Sequence, residues 1–418
     1  MWDIDRWQEI AHTLGRHKLR TTLTAFGVFW GIFMLVLLLG AGNSLKNDAL
    51  SRFGASTNTI YLWTGRPTQM PYQGFAKGRR VGLNIGDRDY LRQNLRGAEL
   101  ILEQNQLGGW QADQYIIRNG KSGSFQTTGA HGETAVLEGL KAIQGRFLNA
   151  RDYNERRKVA VIGDQVYDEL FEKGEDPVGQ SLEIAGLYFK IVGVFTPRVP
   201  SENTRRDSQS IRIPNSTLRH AYNQLGWIGS LRIKPKGGVS AIELEEQALS
   251  LLKELHHIHP DEKAAIGHYN SEKDYLKVVS LFTGLQAFSW FVAIGTLLAG
   301  VIGVGNIMLI VVKERTREIG LRKALGATRW SVLSLIIQEA LVITTLAGYT
   351  GLVAGVAMLE LFSSIIETGG IPGFGVPSID FSTALSALAI LVFSGLLAAW
   401  LPARKAAAVN PITALQDD

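Results

Sequence analysis

The sequence contains no cysteine among its 418 residues. This excludes disulfide bonds and a cysteine nucleophile, and a domain of more than 200 residues can bury enough core without disulfides. The metalloprotease pattern HExxH and the serine-hydrolase pattern G-x-S-x-G are also missing. The residues alone therefore give little reason to predict an enzyme.

Patterns that bind phosphate or nucleic acid are weak as well. Gly120-Lys121-Ser122 resembles the end of a P-loop, but that motif needs a glycine at position 115, where the sequence has Tyr115. The formal net charge is +5, and the basic excess lies largely in residues 313–329. Because no basic stripe suits a nucleic acid, we expect no nucleic-acid partner.

Charge is missing from four long stretches, which are the most informative part of the chain. Each is long enough to cross about 30 Å of hydrocarbon as a helix, which needs roughly 20 residues. We therefore predict four transmembrane helices, at residues 21–45, 278–312, 330–359 and 381–400. The first run is longer than the roughly 7 to 15 apolar residues of a signal peptide, which predicts a retained span.

Lysine and arginine near the spans predict the orientation, because basic loops resist translocation. Arg16, Lys18 and Arg20 precede the first span, six basic residues lie within 313–329, and none lies within 360–380. Both termini, including the tail 401–418, are thus predicted to be cytoplasmic, as are residues 313–329. Residues 46–277 and the link 360–380 are predicted to be extracytoplasmic, and the expected location is the cytoplasmic (inner) membrane.

Residues 1–20 are predicted to form a cytoplasmic amphipathic helix. Trp7, Ile10, Ala11 and Leu14 recur at the spacing of one helical face. This helix would lie along the inner surface of the membrane, with membrane lipid as its partner, or would pack on another protein.

Residues 46–277 are predicted to form an α+β domain of two lobes. Strands and helices at both ends of this segment predict a membrane-proximal βαβ-type lobe of residues 46–110 and 227–277. An S-x-x-E capping box at Ser240 and Glu243 predicts the start of its last helix. Residues 111–226 are predicted to form an inserted mixed α/β lobe, with hairpins at Asn119-Gly120 and around Ala185-Gly186.

One cluster in this domain carries residue types that bind metals. It consists of His256, His257 and His259, followed by Asp261 and Glu262. Such residues bind zinc or copper, or they close a helix, whose C-terminal end favours positive charge. Because no second set of ligands is evident, we predict no metal site.

Residues 313–329 are predicted to form a short charged helix closed by Gly326, with Thr328 as the N-cap of the third span. Ile319, Ala324 and Leu325 form a small apolar set amid charge, which is typical of a helix that docks into a groove of another protein. From these residues alone, a docking helix and a basic loop that only sets the topology both remain open.

Small residues in the spans predict close helix packing. They are Gly295, Ala299, Gly303, Gly348, Gly351 and Gly355. Apart from Glu339 the interiors of the spans carry no ionisable residue, which disfavours a hydrophilic channel and favours rigid helices that move as levers. Glu339 is either a conformational switch or the partner of a basic side chain, or else a protonated or hydrogen-bonded structural residue, and we favour the latter interpretation. As one continuous helix, residues 278–312 would form a stalk about 20 Å longer than the hydrocarbon.

Several motifs remain to be explained. In the membrane region they are Arg317-Glu318-Ile319-Gly320, Arg322-Lys323-Ala324-Leu325-Gly326-Ala327, Gln338-Glu339-Ala340, Pro402-Ala403-Arg404 and Asn410-Pro411-Ile412. In the outer domain they are Val161-Ile162-Gly163, Asp176-Pro177-Val178-Gly179-Gln180 and Phe189-Lys190-Ile191-Val192-Gly193-Val194. Together they resemble the MacB/FtsX family of ABC transporter permeases, in the same order along almost the whole chain.

The resemblance implies that residues 313–329 form a coupling helix seated on a cytoplasmic ABC ATPase. The coupling residues would be Glu314, Arg315, Arg317, Glu318, Ile319, Gly320, Arg322, Lys323, Ala324, Leu325 and Gly326. It also implies a permease dimer and, in many members, a periplasmic adaptor protein. Too few residues precede the first span for an ATPase domain, so we expect ATP and Mg on a separate chain and no cofactor on this one.

We therefore expect a transporter permease subunit that works by mechanotransmission, in which ATP-driven movement on the cytoplasmic side changes the shape of the outer domain. The expected cargo of this efflux is a drug, a peptide or a lipoprotein. The alternative is an FtsX-like signalling subunit that controls an extracytoplasmic cell-wall hydrolase. Reversing the charges of Arg322 and Lys323 should uncouple transport while leaving membrane insertion intact.

Overall fold

The computed structural model describes residues 18–51, 53, 57–109, 112–199, 204–369 and 381–410. Most of the predicted amphipathic helix 1–20, the larger part of the link 360–380 and the end of the tail 401–418 lie outside these residues. The chain divides into two compact units. The membrane unit consists of Met1–Asp48 and Val279–Asp418, and the outer unit is Ala49–Val278.

The first helix of the described residues is α1 (Lys18–Ser51). Then follow β1 (Ile60–Thr64), α2 (Ile85–Asn94), β2 (Ala98–Gln104), β3 (Asp113–Arg118), β4 (Lys121–Ala130), α3 (Thr134–Leu137), β5 (Leu140–Gly145), α4 (Ala150–Asn154) and β6 (Val159–Gly163). The outer unit continues with α5 (Asp164–Leu170), β7 (Ser181–Ile184), β8 (Leu187–Pro197), α6 (Arg205–Ser208), β9 (Ser210–Pro214), α7 (Asn215–Ala221), β10 (Ser230–Pro235), α8 (Ala241–Leu255) and β11 (Ile266–Asn270). The last helices are α9 (Ser271–Glu314), α10 (Thr316–Ala324), α11 (Arg329–Gly369) and α12 (Phe381–Ala408).

A four-stranded sheet, in the order β11-β1-β10-β2, joins the two ends of the outer unit. All neighbouring strands in it are antiparallel. β10 therefore separates β1 from β2, and the arrangement is a split βαβ fold rather than a simple βαβ unit. Alternate residues of β1 and β10, such as Ile60, Leu62 and Leu231, point into a core that α2 and α8 cover.

The two helices over this sheet begin at side-chain caps. Asn84 and Asp87 form a capping box at the start of α2. At α8 the predicted capping box is wrong, although Ser240 is the N-cap residue. The N–H of Ile242 donates to the hydroxyl of Ser240 and to the carboxylate of Glu272, at 3.1 and 3.0 Å. A carboxylate from a distant part of the sequence thus takes part in capping this helix, and Glu243 does not complete the box.

The strands between residues 113 and 214 form a second sheet, in the order β5-β8-β6-β9-β4-β3-β7. β7 also pairs with β8, so that six of these strands close into a ring. Its core contains Ile116, Phe189 and Ile211, which are all fully buried. The pairing with β8 gives β7 a second neighbour, and it satisfies backbone groups of β7 and of the first residues of β8 that would otherwise be unpaired.

Both predicted hairpins are confirmed. Asn119 and Gly120 have φ angles of 45° and 77°, and Ala185 and Gly186 have φ angles of 45° and 83°. Positive φ at both central residues is what a type I′ turn requires, and the flanking strands pair in register on each side. The sequence that resembles a P-loop is therefore the turn of a hairpin and not a phosphate-binding loop.

Three helical segments in the described residues are long and apolar enough to cross a membrane. They are Ala25–Leu50, Ser271–Glu314 and Arg329–Ile366. α9 is continuous over 44 residues, as the stalk prediction requires, and is about 66 Å long at 1.5 Å per residue. The core of the membrane unit brings together residues from α1, α9, α10, α11 and α12, among them Val28, Val304, Ile336 and Ala399.

Candidate functional site

The predicted coupling segment is a short helix between two long ones. Arg315 separates the end of α9 from the start of α10. α10 ends in a Schellman motif: the N–H of Ala327 donates to the carbonyl of Arg322, and the N–H of Gly326 donates to the carbonyl of Lys323. Gly326 has a φ of 96°, so the prediction that it closes this helix is confirmed. Thr328 then caps α11 by accepting a hydrogen bond from the N–H of Ser331.

α10 has one face turned inward and one turned outward. Ile319 is 6% exposed and belongs to the core cluster that contains Val312 and Ile336, and Gly320 is buried beside it. Leu325 is 81% exposed. The predicted apolar docking set is therefore wrong for Ile319, which packs within the chain. Other exposed residues of this segment are Glu314, Arg317, Glu318, Leu321, Arg322, Ala324 and Gly326.

The buried carboxylate of Glu339 has a basic partner. Glu339 lies on α11 and is 3% exposed, and its Oε2 lies 3.7 Å from Nη1 of Arg315. A buried carboxylate without a partner would be costly. The contact therefore supports the interpretation of Glu339 as the partner of a basic side chain, and it ties the start of the coupling segment to α11.

Lys323 ties the other end of the coupling segment to α12. Its Nζ donates hydrogen bonds to the carbonyl oxygens of Ala407 and Val409, at 2.8 and 2.6 Å. The last carbonyls of a helix lack partners within the helix, and a nearby lysine satisfies them. Reversing the charge of Lys323 would therefore disturb the permease itself, whereas Arg322 is exposed.

α11 approaches α1 at two of the predicted small residues. A Cβ added at Gly351 would lie 2.5 Å from the carbonyl oxygen of Phe29, and one at Gly355 would lie 2.8 Å from Cγ1 of Val36. Gly348 is buried one turn earlier on α11. Only glycine permits so close an approach of two helices at these positions.

α9 approaches α1 at a glycine that the sequence analysis did not select. A Cβ at Gly300 would lie 3.0 Å from the carbonyl carbon of Gly27. In contrast, Gly303 is half-buried, Gly295 and Ala299 are exposed in the single chain, and nothing lies within 4 Å of a Cβ at Gly295. The packing prediction is therefore wrong for Gly295 within one chain. Gly27 and Gly31 have the G-x-x-x-G spacing, which was the available signal.

A buried charge cluster joins the two sheets of the outer unit. Glu103 of β2 is fully buried, and its carboxylate accepts hydrogen bonds from Nη1 of Arg88 at 2.9 Å and from the hydroxyl of Tyr153 at 2.5 Å. Nε2 of His131 lies 3.3 Å from the same carboxylate. Glu103 lies in the four-stranded sheet and Arg88 lies on α2, which covers that sheet. His131 follows β4 of the seven-stranded sheet, and Tyr153 lies on α4, between β5 and β6 of the same sheet. The cluster is therefore a buried network of hydrogen bonds and ion pairs that connects the lobe of the four-stranded sheet to the lobe of the seven-stranded sheet.

The electrostatics of this cluster favour the ionised carboxylate. Burial raises the pKa of Glu103, but the hydrogen bonds and charge supplied by His131, Tyr153 and Arg88 outweigh burial and hold the pKa well below its usual range. Burial, together with the negative charge of Glu103, raises the pKa of Tyr153 to about 12. Glu103 thus stays charged and Tyr153 stays protonated at neutral pH.

A second buried cluster crosses the same boundary. Glu138, which follows α3, forms ion pairs with Arg232 of β10 and with Nη2 of Arg212 in β9, the latter at 3.0 Å. Arg212 also lies 2.6 Å from Asp207. The members of each cluster are far apart in sequence and carry no motif, so sequence reasoning missed both.

The three histidines near the end of α8 have separate partners. These are Asp87 for His256 (2.8 Å), Gln73 for His257 (2.6 Å) and the ring of Tyr72 for His259. The carboxylate of Glu262 accepts hydrogen bonds from backbone N–H groups of Gln69, Met70 and Ala264. Within the described ranges no group of three or more histidine, cysteine, aspartate or glutamate side chains could hold a metal ion. These contacts support the helix-end interpretation.

Curated relatives align with nearly the whole chain. The macrolide export ATP-binding/permease protein MacB 2 of Aeromonas hydrophila is 29% identical over 423 residues, which cover 99% of this chain and 61% of the relative. MacB of Escherichia coli (strain K12) is 28% identical over 417 residues, which cover 96% of this chain and 59% of the relative. The chain thus spans about three fifths of the length of these relatives.

Two solved structures of outer regions match about half of the chain. The periplasmic region of MacB from Actinobacillus actinomycetemcomitans is 22% identical, with a TM-score of 0.42, and the match covers 53% of this chain and 93% of that one. The extracellular domain of the noncanonic ABC-type transporter YknZ from Gram-positive bacteria is 14% identical, with a TM-score of 0.40, and the match covers 51% and 100%.

Two family models account for most of the sequence. The model of the MacB-like periplasmic core domain matches residues 21–251, and the model of the FtsX-like permease C-terminal region matches residues 290–411. The first match alone covers more than half of the chain, and the second includes α10 and the helices on both sides of it. The chain therefore belongs to the MacB/FtsX family of ABC transporter permeases.

Proposed function

We propose that this chain is the membrane permease of an ATP-driven exporter, and that α10 carries force from a cytoplasmic ATPase to the other helices. The observation that carries the proposal is that one side of α10 contacts the rest of the membrane unit while the other side is exposed. Its inner side is fastened by Ile319 in the core, by Arg315 to Glu339 and by Lys323 to the end of α12. Its outer side leaves Leu321 and Leu325 exposed. A partner that pushed on the exposed side would move α9, α11 and α12 together.

The mechanism is mechanotransmission through α9. This helix is uninterrupted from the end of β11 to Glu314, so axial force applied at its cytoplasmic end is transmitted along one rigid element. To move such an element from 1% to 99% in its second state, the ATP-bound partner must favour that state by about 5.5 kcal/mol. Binding and hydrolysis of ATP with Mg on the ATPase supply this bias.

The proposed topology has four spans, α1, α9, α11 and α12, in the inner membrane, with both termini and α10 in the cytoplasm. Because the chain has no cysteine, single introduced cysteines can be labelled without background. We expect a membrane-impermeant maleimide to label Tyr188→Cys in intact spheroplasts, and Leu325→Cys only after permeabilisation. Both wild-type side chains are exposed. Labelling of both positions from the same side would overturn the topology and the export mechanism.

The proposed assembly pairs two permease protomers with a separate ABC ATPase and a periplasmic adaptor protein. The names of the curated relatives support a drug as the cargo, since both are described as macrolide exporters. A peptide or a lipoprotein is the other cargo that the family resemblance implies.

The decisive experiment changes the exposed end of α10. Leu325→Asp places a charge on the proposed contact without removing a buried group, so the chain should still insert and fold. We expect an ABC ATPase, recognised by its Walker motifs, to co-purify with the wild-type chain and to be depleted about tenfold or more from the variant, because one buried charge in an apolar contact costs several kcal/mol. ATP hydrolysis by the purified complex should fall in parallel.

Leu225→Asp is the matched control, since Leu225 is a comparably placed exposed leucine in the outer unit. It should retain the ATPase at the wild-type level. Equal recovery of the ATPase with both variants would show that the ATPase does not bind at α10. If a complex with intact ATPase activity instead retained a cell-wall hydrolase and moved no cargo, the signalling alternative would replace export.

A further inference from the structure

The four-stranded sheet has an unusual second face. Because side chains alternate along a strand, Ile60 and Leu62 enter the core while Tyr61 and Trp63 point to the opposite face. An antiparallel sheet with one covered face ordinarily presents polar residues on the other. Here that face carries Trp63 and Tyr269, which are 40% and 42% exposed, and the ring of Tyr61 lies 5.8 Å from that of Tyr269.

These aromatic rings line a cavity of about 1150 Å³ within the outer unit. Trp227, which is also partly exposed, contributes to its wall, and polar groups including Gln104 and Ser230 lie among the rings. Pockets for drug-sized ligands measure roughly 300–1,000 Å³ and combine apolar walls with a few polar groups. This cavity therefore suits a ligand at or above the upper end of that size range.

The charges around the cavity indicate which ligand it would accept. Arg232 is the one charged side chain among its lining residues in the described parts of the chain. Its guanidinium group is already paired with Glu138, hydrogen-bonded to Gln104 and stacked over Tyr61. No carboxylate in the lining is available for a cation, and the positive charge is neutralised before a ligand arrives. The cavity is therefore complementary to an uncharged molecule.

The position of Trp63 depends on a glycine in the neighbouring strand. Trp63 of β1 pairs with Gly267 of β11. A Cβ at Gly267 would lie only 2.2 Å from Nε1 of Trp63, so the indole lies directly against the strand at this point. Any larger residue at position 267 would displace the indole from its place over the sheet.

We propose that this cavity captures the exported compound, and that the compound is an uncharged amphipathic molecule with a flat apolar face and several hydroxyl or carbonyl groups. The inference rests on the proposed export function and assigns the substrate site to the sheet face of the outer unit. The aromatic rings bind the apolar face, while Gln104 and Ser230 offer hydrogen bonds to the oxygens.

The test measures binding to the full chain in phosphatidylcholine nanodiscs by equilibrium dialysis. The main probe is 4-methylumbelliferyl-β-D-cellobioside, which is uncharged and joins a flat aromatic ring to hydroxyl groups. Two further probes are compared with it: cellobiose lacks the aromatic ring, and 4-methylumbelliferyl sulfate has a negatively charged sulfate in place of the uncharged sugar. We expect saturable binding of the cellobioside above the level of empty nanodiscs, and binding of both other probes at least about fivefold weaker.

Variants then place the binding in the cavity. Trp63→Ala should weaken binding of the cellobioside about fivefold to tenfold, through loss of one aromatic contact. Gly267→Ala keeps the indole but displaces it, and should weaken binding to a similar degree. Tyr115→Ala removes an exposed aromatic residue from the other sheet, outside the cavity, and should leave binding unchanged.

Several results would overturn the proposal. These are equal binding by wild type and both cavity variants, tighter binding of the sulfate than of the cellobioside, and binding no greater than that of empty nanodiscs. The measurement needs neither ATP nor a partner, so its failure is separable from failure of the export mechanism. Loss of cavity binding with intact coupling through Leu325 would refute only the substrate site.

Discussion

The membrane unit and the outer unit are each stabilised internally by a different kind of contact. In the membrane unit, α1 meets α9 and α11 at glycines, and the ion pair and lysine contacts that we find lie at the coupling end. In the outer unit, charged side chains are buried between the two sheets, around Glu103 and Glu138. In lipid the hydrophobic effect does not drive helices to associate, so close van der Waals packing has to stabilise their contacts. Two water-exposed lobes already have their own cores, and buried ion pairs between them fix their mutual orientation.

The largest effect is expected from breaking the cluster around Glu103. Glu103→Gln removes the fully buried carboxylate that faces Arg88 and should lower the stability of the outer unit by about 3 kcal/mol, because Arg88 then keeps, among the described residues, only the half-exposed Asp89 as its acidic partner. Thermal unfolding followed by tryptophan fluorescence measures the change. Glu99→Gln, at a half-exposed position on the same strand, should have almost no effect. A similar loss of stability in both variants would show that the cluster does not stabilise the outer unit.

Acid should act on the same cluster. A carboxylate whose pKa is lowered by folding contributes its full stability above its ordinary pKa of 4.5, and this contribution is lost as the pH falls toward the lower folded pKa. We therefore expect the outer unit to lose on the order of 2 kcal/mol between pH 5 and pH 2 through Glu103 alone. Glu103→Gln should flatten the pH dependence of the unfolding midpoint in this window. An unchanged slope would mean that Glu103 is not held ionised.

In the membrane unit, the corresponding change is at a glycine. Gly351→Val forces a side chain against the backbone of Phe29 and should destabilise the packing of α11 on α1 by about 1–3 kcal/mol. Thermal aggregation in detergent reports this loss. Gly295→Val is the matched control for the single chain and should be close to wild type, because no described residue outside its own helical turn lies within 4 Å of a Cβ added there. If the two variants were equally unstable, Gly295 would also be packed in the assembled protein.

The smallest effect is expected at the coupling end of the membrane unit, where a lysine side chain contacts the end of α12. Lys323→Met removes the hydrogen bonds to the end of α12 and should cost about 1 kcal/mol, since the ammonium group is only partly buried. Lys313→Met, at an exposed position, should cost less. Hydrogen exchange of residues 316–324 and 400–408 should rise together in the first variant and not in the second. Faster exchange in only one segment would contradict the tie between them.

Local patterns in the sequence predicted the features that depend on neighbouring residues. Long uncharged runs predicted the three helices of the described residues that are long and apolar enough to cross a membrane. Asn119-Gly120 predicted a hairpin because its turn demands positive φ, and Gly326 predicted the end of α10 for the same reason. These signals are short in range. Each is complete within a few residues, so no knowledge of the tertiary structure is needed to read it.

Features that depend on distant residues were missed. The carboxylate of Glu272 helps to cap α8 by accepting a hydrogen bond from the N–H of Ile242. Glu103 contacts His131 and Tyr153, which are also distant from it in sequence. Ile319 is a similar case: its apolar side chain amid charge fits a docking surface and a buried contact equally well, and only the packing of α10 distinguishes them. The pairing of Arg315 with Glu339 likewise appears only when two helices are placed side by side.

The contact between Gly27 and Gly300 limits how α9 is able to move. Successive residues of a helix are about 100° apart around its axis, so rolling α9 by one residue would press Ala299 or Val301 against the backbone of α1. Both have a Cβ, and a Cβ at the position of Gly300 would lie only 3.0 Å from the carbonyl carbon of Gly27, so the two helices would have to move slightly apart. Swinging about this point keeps the glycines in register, whereas rolling does not. In the proposed export mechanism, this close contact would therefore allow α9 to tilt about Gly27 more readily than to rotate about its own axis.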